Sequence, residues 1–95
     1  MSQPSVSTTP QKPIVVYSTT FCGYCIRVKS LLKSRGYAFE EIDVSDDPAK
    51  RAWLIKETGG RRTVPVVFID GVPVGGYDET AALDRAGELE RLVRG

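Results

Sequence analysis

Cys22 and Cys25 are the only cysteines in the chain, and they stand in the stretch Phe21-Cys22-Gly23-Tyr24-Cys25. Two thiols at that spacing, at a strand-to-helix turn, form a dithiol/disulfide couple that can open and close. A free cysteine, with a pKa of about 8.5, is a poor nucleophile near neutral pH. Where a helix begins, unpaired backbone N–H groups and the positive end of the helix dipole favour the thiolate. Cys22 falls at such a position, with Arg27 and Lys29 following it, while Cys25 lies one turn further in and is expected to be less exposed. The pattern therefore predicts thiol–disulfide exchange, with Cys22 as the attacking thiolate and Cys25 as the resolving thiol. Two plainer uses carry less weight. A structural disulfide closing so small a ring would constrain little of the unfolded chain. Half of an intersubunit zinc site would find no further ligands in this sequence.

Composition narrows the chemistry. The 95 residues contain no histidine, which excludes Cys–His nucleophilic catalysis and histidine-ligated metal sites within one chain. The length suits one domain, and 41% hydrophobic with 26% charged residues is ordinary for a soluble globular protein. With a formal net charge of +1, bulk electrostatics argue for neither a nucleic-acid nor a membrane partner. No apolar run approaches the ~20 residues that would cross a bilayer, and the N-terminus lacks the basic segment and apolar core of a secretory signal. A secreted disulfide scaffold of this size would carry more cysteines, so a reducing, cytoplasmic setting is expected.

The elements that must position the dithiol follow from periodicity. Met1 to Pro13, rich in Ser, Thr, Gln and Pro, cannot bury enough surface to offset its chain entropy; it reads as a disordered tail, with 14–95 as the folded domain. Ile14 to Ser18 is a continuously apolar strand. The turn Thr19–Phe21 leaves its C-terminal end, which is where ligands bind in open α/β sheets. From Cys22 to Arg35 the residues Tyr24, Val28, Leu31 and Leu32 recur at helical spacing, and Gly36 stops the helix. Tyr37 to Val44 alternates as a second strand, joined to the first by a right-handed crossover and so parallel to it. Asp46-Asp47-Pro48 opens a helix that runs to Glu57 and is expected to bury Trp53 and Leu54, with Ala49 beside them. Val64 to Ile69 is a strand, and Asp70-Gly71 is a hairpin turn into a short strand Val72–Val74, which Pro73 places at the sheet edge. Gly75-Gly76-Tyr77 is a tight turn, Asp78 caps a last helix from Glu79 to Ala86, and Glu88 to Val93 adds a terminal turn. The order is β-α-β-α-β-β-α, an α/β class.

Two further stretches admit both a plain and a functional reading. In Thr63-Val64-Pro65 the proline is either an edge device at the start of a strand or the site of a cis peptide that sets the Val64 backbone beside Cys22. Gly75-Gly76 is either simply a turn or a backbone that a ligand approaches closely, followed by an acidic residue at a helix N-terminus.

Taken together, Cys22-Gly23-Tyr24-Cys25, Thr63-Val64-Pro65 and Gly75-Gly76-Tyr77-Asp78 resemble the three signatures of a glutaredoxin, over roughly Ile14 to Val93. The resemblance implies a thioredoxin fold, a four-stranded mixed sheet flanked by helices, with a cis Pro65. It implies glutathione as cosubstrate. Cys22 would take the glutathionyl group from a mixed disulfide and a second glutathione would free it, or Cys22 would open a protein disulfide and Cys25 resolve the adduct. The implied glutathione site comprises Tyr24, the backbone of Thr63 and Val64, Pro65, Gly76, and Tyr77 with Asp78 at the γ-glutamyl end, with Arg62 holding a carboxylate. The implied partners are glutathionylated or disulfide-containing proteins, met by a monomer, with no nucleic acid, membrane or resident metal.

Three positions depart from the family pattern. Thr19 stands where glutaredoxins often have lysine, and Lys12 in the tail is a poor substitute. Tyr77 stands where many have cysteine, and Gly23 replaces the usual proline. Glycine relaxes a helix start that proline would stiffen. Some glutaredoxins without that proline coordinate a 2Fe–2S cluster, so the resemblance carries an alternative: a cluster-binding dimer held by Cys22 of each copy and two glutathiones. A mycoredoxin-like redoxin is a further alternative, since Cys-Gly-Tyr-Cys also occurs there; the Gly75–Asp78 stretch argues for glutathione instead.

Overall fold

The computed structural model describes residues 11–95, so the expected tail lies outside the described residues except for its last three. Those three are tied to the domain. The Gln11 side chain exchanges hydrogen bonds with the backbone of Ala38, and the Lys12 N–H donates to the Val93 carbonyl. From there the chain runs β1 (Ile14–Ser18), α1 (Gly23–Ser34), β2 (Glu40–Asp43), α2 (Pro48–Glu57), β3 (Val66–Ile69), β4 (Val72–Gly75), α3 (Tyr77–Arg85) and α4 (Glu88–Arg94).

The strands form one mixed sheet in the order β2-β1-β3-β4, with β1 parallel to β2 and antiparallel to β3, and β3 antiparallel to β4. The parallel pair requires a crossover, and α1 supplies it. The β3–β4 pair needs only a two-residue turn; Asp70 (φ 53°) and Gly71 (φ 79°) are both left-handed there, the geometry that matches strand twist. Pro73, which has no N–H to donate, sits on β4 at the sheet edge as expected.

Because both central strands are buried on two faces, alternate residues feed two cores. Ile14 and Val16 of β1, with Val67 and Ile69 of β3, meet Val28 and Leu32 of α1 and Leu89 and Val93 of α4. Val15 and Tyr17, with Val66 and Phe68, meet Leu54 of α2 and Val44 on the opposite face. Each fully buried aliphatic side chain contributes roughly 1.5–3 kcal/mol by leaving water. A bidentate pair from Arg35 to Asp84, at 2.9 and 2.8 Å, fastens the end of α1 to α3.

Several local expectations are corrected. Trp53 is not buried: α2 alone covers that face, and the indole stacks over Phe68 and tilts against Tyr17 while remaining 37% exposed under the Lys50 ammonium. Ala49 is exposed. On α1 the inward stripe is Cys25, Val28 and Leu32, whereas Tyr24 points outward. β2 begins only at Glu40, because Tyr37 enters the core from the turn that Gly36 opens. The cap of α3 is Gly76, two residues before Asp78, which lies inside the first turn.

Candidate active site

Both thiols sit where β1 runs out and α1 begins. Cys22 is the N-cap of α1, with extended backbone (φ −144°, ψ 105°), and its sulfur accepts the Cys25 N–H at 3.1 Å. An N-cap side chain is the natural acceptor for the orphan amides of a first helical turn, and here sulfur takes that place. The two sulfurs are joined as a disulfide, with the Cα atoms 5.2 Å apart. Cys22 is half-buried; Cys25, facing the core, is 2% exposed. An accessible sulfur ahead of a shielded one is the arrangement that lets an external sulfur reach only the first.

The chain returns to this point twice. The Val64–Pro65 peptide is cis, and the Val64 carbonyl oxygen lies 3.8 Å from Cys22 Sγ. Beyond it the turn between β4 and α3 brings Gly76 against Pro65. Between these walls and Tyr24 runs a groove of about 350 Å³. Tyr24 and Tyr77 face each other across one end, their ring centroids 6.1 Å apart, with the Arg27 guanidinium over the Tyr24 ring. Thr63, Val64, Pro65, Gly76 and Asp78, all nominated from sequence, line it as well.

Arg62 does not line the groove. It opens on the neighbouring concavity beside Arg51 and Leu54 of α2, and the cation in the groove is Arg61. Arg61 lines both concavities, whereas Arg62 lines only the neighbouring one. Lys12 lies against Val93 at the start of β1, the end of the strand remote from Cys22. A second groove residue absent from the sequence reading is Glu79. Its Oε1 accepts the Gly76 N–H at 2.9 Å and its Oε2 accepts from Arg61 Nη2 at 2.6 Å. The Gly76 N–H, its own N–H and, to a smaller extent, the Arg61 guanidinium hold the Glu79 carboxyl below the usual glutamate range. An acid three residues after a cap is a capping-box spacing, and Gly76-Tyr77-Asp78-Glu79 displays it in the sequence.

Among the described residues no cluster of three or more His, Cys, Asp or Glu side chains could hold a metal ion. One chain offers a cluster the single accessible sulfur of Cys22; the other ligands of the alternative would come from a second copy and two glutathiones. No helix among the described residues is long and apolar enough to cross a membrane.

A βαβ unit and a ββα unit sharing one mixed sheet, with a Cys-x-x-Cys disulfide at the mouth of the first helix and a cis-proline strand start beside it, define a thioredoxin-fold thiol–disulfide oxidoreductase. The glutaredoxin family model matches residues 14–74. The chain is 44% identical over 81 residues to a glutaredoxin of Pseudomonas aeruginosa, covering 85% of this chain and 95% of that one. It is 42% identical over 81 residues to glutaredoxin 3 of Escherichia coli K12, covering 85% and 96%. Among solved structures, the solution structure of glutaredoxin from Brucella melitensis superposes with a TM-score of 0.80 at 38% identity, covering 93% and 95% of the two chains. The crystal structure of a buckwheat glutaredoxin–glutathione complex does so with a TM-score of 0.79 at 40% identity, covering 85% and 76%. The chain belongs to the glutaredoxin family.

Proposed function

We propose that the protein reduces glutathione mixed disulfides and protein disulfides at the expense of glutathione. The observation that carries this reading is the groove itself: an open channel walled by Val64 and Gly76 and holding one arginine, with the Val64 carbonyl oxygen 3.8 Å from Cys22 Sγ. An extended thiol tripeptide could lie along it with its sulfur at Cys22. That a related glutaredoxin from buckwheat is described as a glutathione complex supports the same assignment.

In the first route the Cys22 thiolate attacks the glutathionyl sulfur of a mixed disulfide. A Cys22–glutathione bond forms, the original S–S bond breaks, and the protein sulfur leaves as a thiolate that takes a proton from solvent. A second glutathione thiolate then attacks the glutathionyl sulfur, releasing glutathione disulfide and regenerating the Cys22 thiolate. In the second route Cys22 opens a protein disulfide, Cys25 attacks the Cys22 sulfur to expel the substrate, and two glutathiones reduce the resulting disulfide. Glutaredoxin-type potentials of about −200 to −230 mV lie near the glutathione poise, which keeps both routes reversible. Within the site, Tyr24, the Thr63 and Val64 backbone, Pro65, Gly76, Tyr77 and Asp78 bind the tripeptide. The carboxylate role that the sequence offered to Arg62 we give to Arg61. The substrates are glutathionylated or disulfide-bearing proteins met by a monomer, and the setting is the cytoplasm, where a glutathione pool keeps a two-cysteine protein reduced.

The test is a pair of single substitutions in a glutathione-reductase-coupled assay. Cys22→Ser should lose turnover of every substrate. Cys25→Ser should keep deglutathionylation of a peptide while losing reduction of a protein disulfide. Equal loss of both activities in Cys25→Ser would refute the division of roles, and wild-type protein inert with glutathione would refute the cosubstrate.

A further inference from the structure

Phe21, the residue directly ahead of Cys22, is 98% exposed, the most open of the large hydrophobic side chains among the described residues. A single exposed apolar residue is ordinary on its own; its surroundings set this one apart. The loop that carries it is tied to the end of β2. The Thr20 N–H donates to Ser45 Oγ at 2.8 Å, the Thr20 hydroxyl to Asp43 Oδ2 at 3.3 Å, and the Ser45 N–H to Asp43 Oδ1 at 2.7 Å. The ring is thus presented from a backbone already ordered, and little ordering is left for a partner to impose. Beside it opens a concavity of about 490 Å³ lined by Thr19, Thr20, Phe21, Ser45, Asp46 and Arg51, none of which lines the groove at Tyr24. Arg51 makes no ion pair among the described residues. It also lines the next concavity beside Arg62, which makes none either. Against these two cations the flank carries Asp46, with Asp47 at the cap of α2. Both carboxylates stand at the positive end of that helix, which offsets part of their field and leaves the flank positive.

We infer that Phe21 and Arg51 form a docking surface for the partner-protein segment whose disulfide Cys22 attacks, and that they select segments with an apolar residue and a carboxylate beside the cysteine. The inference rests on exchange at Cys22 and is independent of the cosubstrate. Exchange joins Cys22 covalently to the substrate sulfur, so the residues next to that sulfur must lie against whatever borders Cys22. One border is the groove between Tyr24 and Gly76; the other is Phe21. Consecutive Cα atoms are about 3.8 Å apart, so a side chain one or two positions from the substrate cysteine is within reach of the ring. An apolar residue there takes the ring out of water, and a carboxylate meets Arg51, whose field also steers the approach. In the covalent step the Cys22 thiolate bonds to the substrate sulfur, the substrate S–S bond breaks, and the departing thiolate takes a proton from solvent. Phe21 and Arg51 take no part in that exchange; they set which disulfides reach it.

The probes are short peptides whose single cysteine is a mixed disulfide with thionitrobenzoate, mixed with the reduced full-length protein in a stopped-flow instrument. Attack by Cys22 on the cysteine sulfur releases the yellow thionitrobenzoate thiolate, which is the signal. One peptide places Leu and Asp beside the cysteine, a second Leu and Lys, a third Gly and Asp. At low salt the Leu and Asp peptide should react about 5-fold to 10-fold faster than either of the others. High salt should erase its lead over the Lys peptide and keep its lead over the Gly peptide. Phe21→Ser should bring its rate down to that of the Gly peptide, and Arg51→Gln to that of the Lys peptide. The mixed disulfide of mercaptoethanol with thionitrobenzoate has no chain to meet Phe21, and should react equally with all three proteins. Equal rates for the three peptides with wild type overturn the proposal. So does a loss in either variant that the mercaptoethanol probe shares, because the change would then lie in the Cys22 thiolate. A wild-type dimer in sedimentation that Phe21→Ser dissolves would also overturn it, giving the ring to a second copy. None of these rates involves glutathione, so their failure is distinguishable from failure of the cosubstrate reading.

Discussion

Gly76→Ala should weaken the use of glutathione more than it weakens the fold. The backbone there (φ −98°, ψ −152°) is one that any residue adopts, so alanine brings no conformational penalty. The cost is steric. The added Cβ would sit 3.0 Å from Arg61 Nη1 and 3.1 Å from the Pro65 carbonyl oxygen, a few tenths of an ångström inside ordinary contact. Overpacking of this kind costs on the order of 1–3 kcal/mol. The low end applies here, because one neighbour is the tip of a flexible side chain and only the Pro65 carbonyl is fixed. At about 1 kcal/mol a domain of this size should lose about 4–8 °C in Tm. Relief comes from Arg61 swinging off Glu79, so KM for glutathione should rise about tenfold, as for loss of a charge-assisted hydrogen bond. Thermal melting by circular dichroism and steady-state turnover of a glutathionylated peptide measure the two effects separately. Gly75→Ala is the contrasting control. Its φ of +122° is closed to L side chains and its Cβ would meet Glu79 Cβ at 2.8 Å, so its Tm should fall further. A wild-type KM in Gly76→Ala accompanied by the expected Tm loss would show that this wall is not part of the cosubstrate site. An unchanged Tm in Gly75→Ala would sink the steric argument.

Two other outcomes are expected from features away from the groove. The Thr80 hydroxyl is fully buried with no hydrogen-bond partner among the described residues, so Thr80→Val, which keeps the shape and removes the orphan, should raise stability by about 1 kcal/mol in a denaturant melt; a loss of stability would contradict the unpaired assignment. Lys29 and then the Ser18 hydroxyl hold the Glu41 carboxyl below the usual glutamate range, which makes Glu41 stabilising while ionised. That contribution is complete above the ordinary glutamate pKa and is lost as pH falls through the lowered native value. Urea midpoints followed from neutral to acid pH should therefore decline less steeply in Glu41→Gln than in wild type, and parallel curves would argue against the network.

The features that were legible share a local cause. Ile14–Ser18 is apolar at every position and became a strand with those bounds. Asp47-Pro48 became a cap and a first turn, the Asp47 carboxylate accepting the Lys50 N–H at 2.9 Å. Asp70-Gly71 became the left-handed hairpin turn. In each, the preference is carried by residues a few positions apart, so the neighbours in sequence are also the neighbours that matter. What was missed depends on which elements cover which. Tyr24 fits the helical period of α1, yet Cys25 occupies the inward position one residue on, because the sheet approaches α1 from that side. Trp53, expected in the core, stays partly exposed because among the described residues α2 is the one helix that contributes to that face.

The chemistry was readable along the chain: a thiol pair at a helix mouth, with a strand and helix order that admits one mixed sheet. The make-up of the groove was not, because it depends on how distant segments meet. Whether Arg61 or Arg62 faces the groove, and whether Glu79 is a surface acid or the link between Arg61 and Gly76, depends on how the loop before Pro65 meets the start of α3. These segments are separated in sequence by two whole strands, and only the pairing of β3 with β4 brings them together.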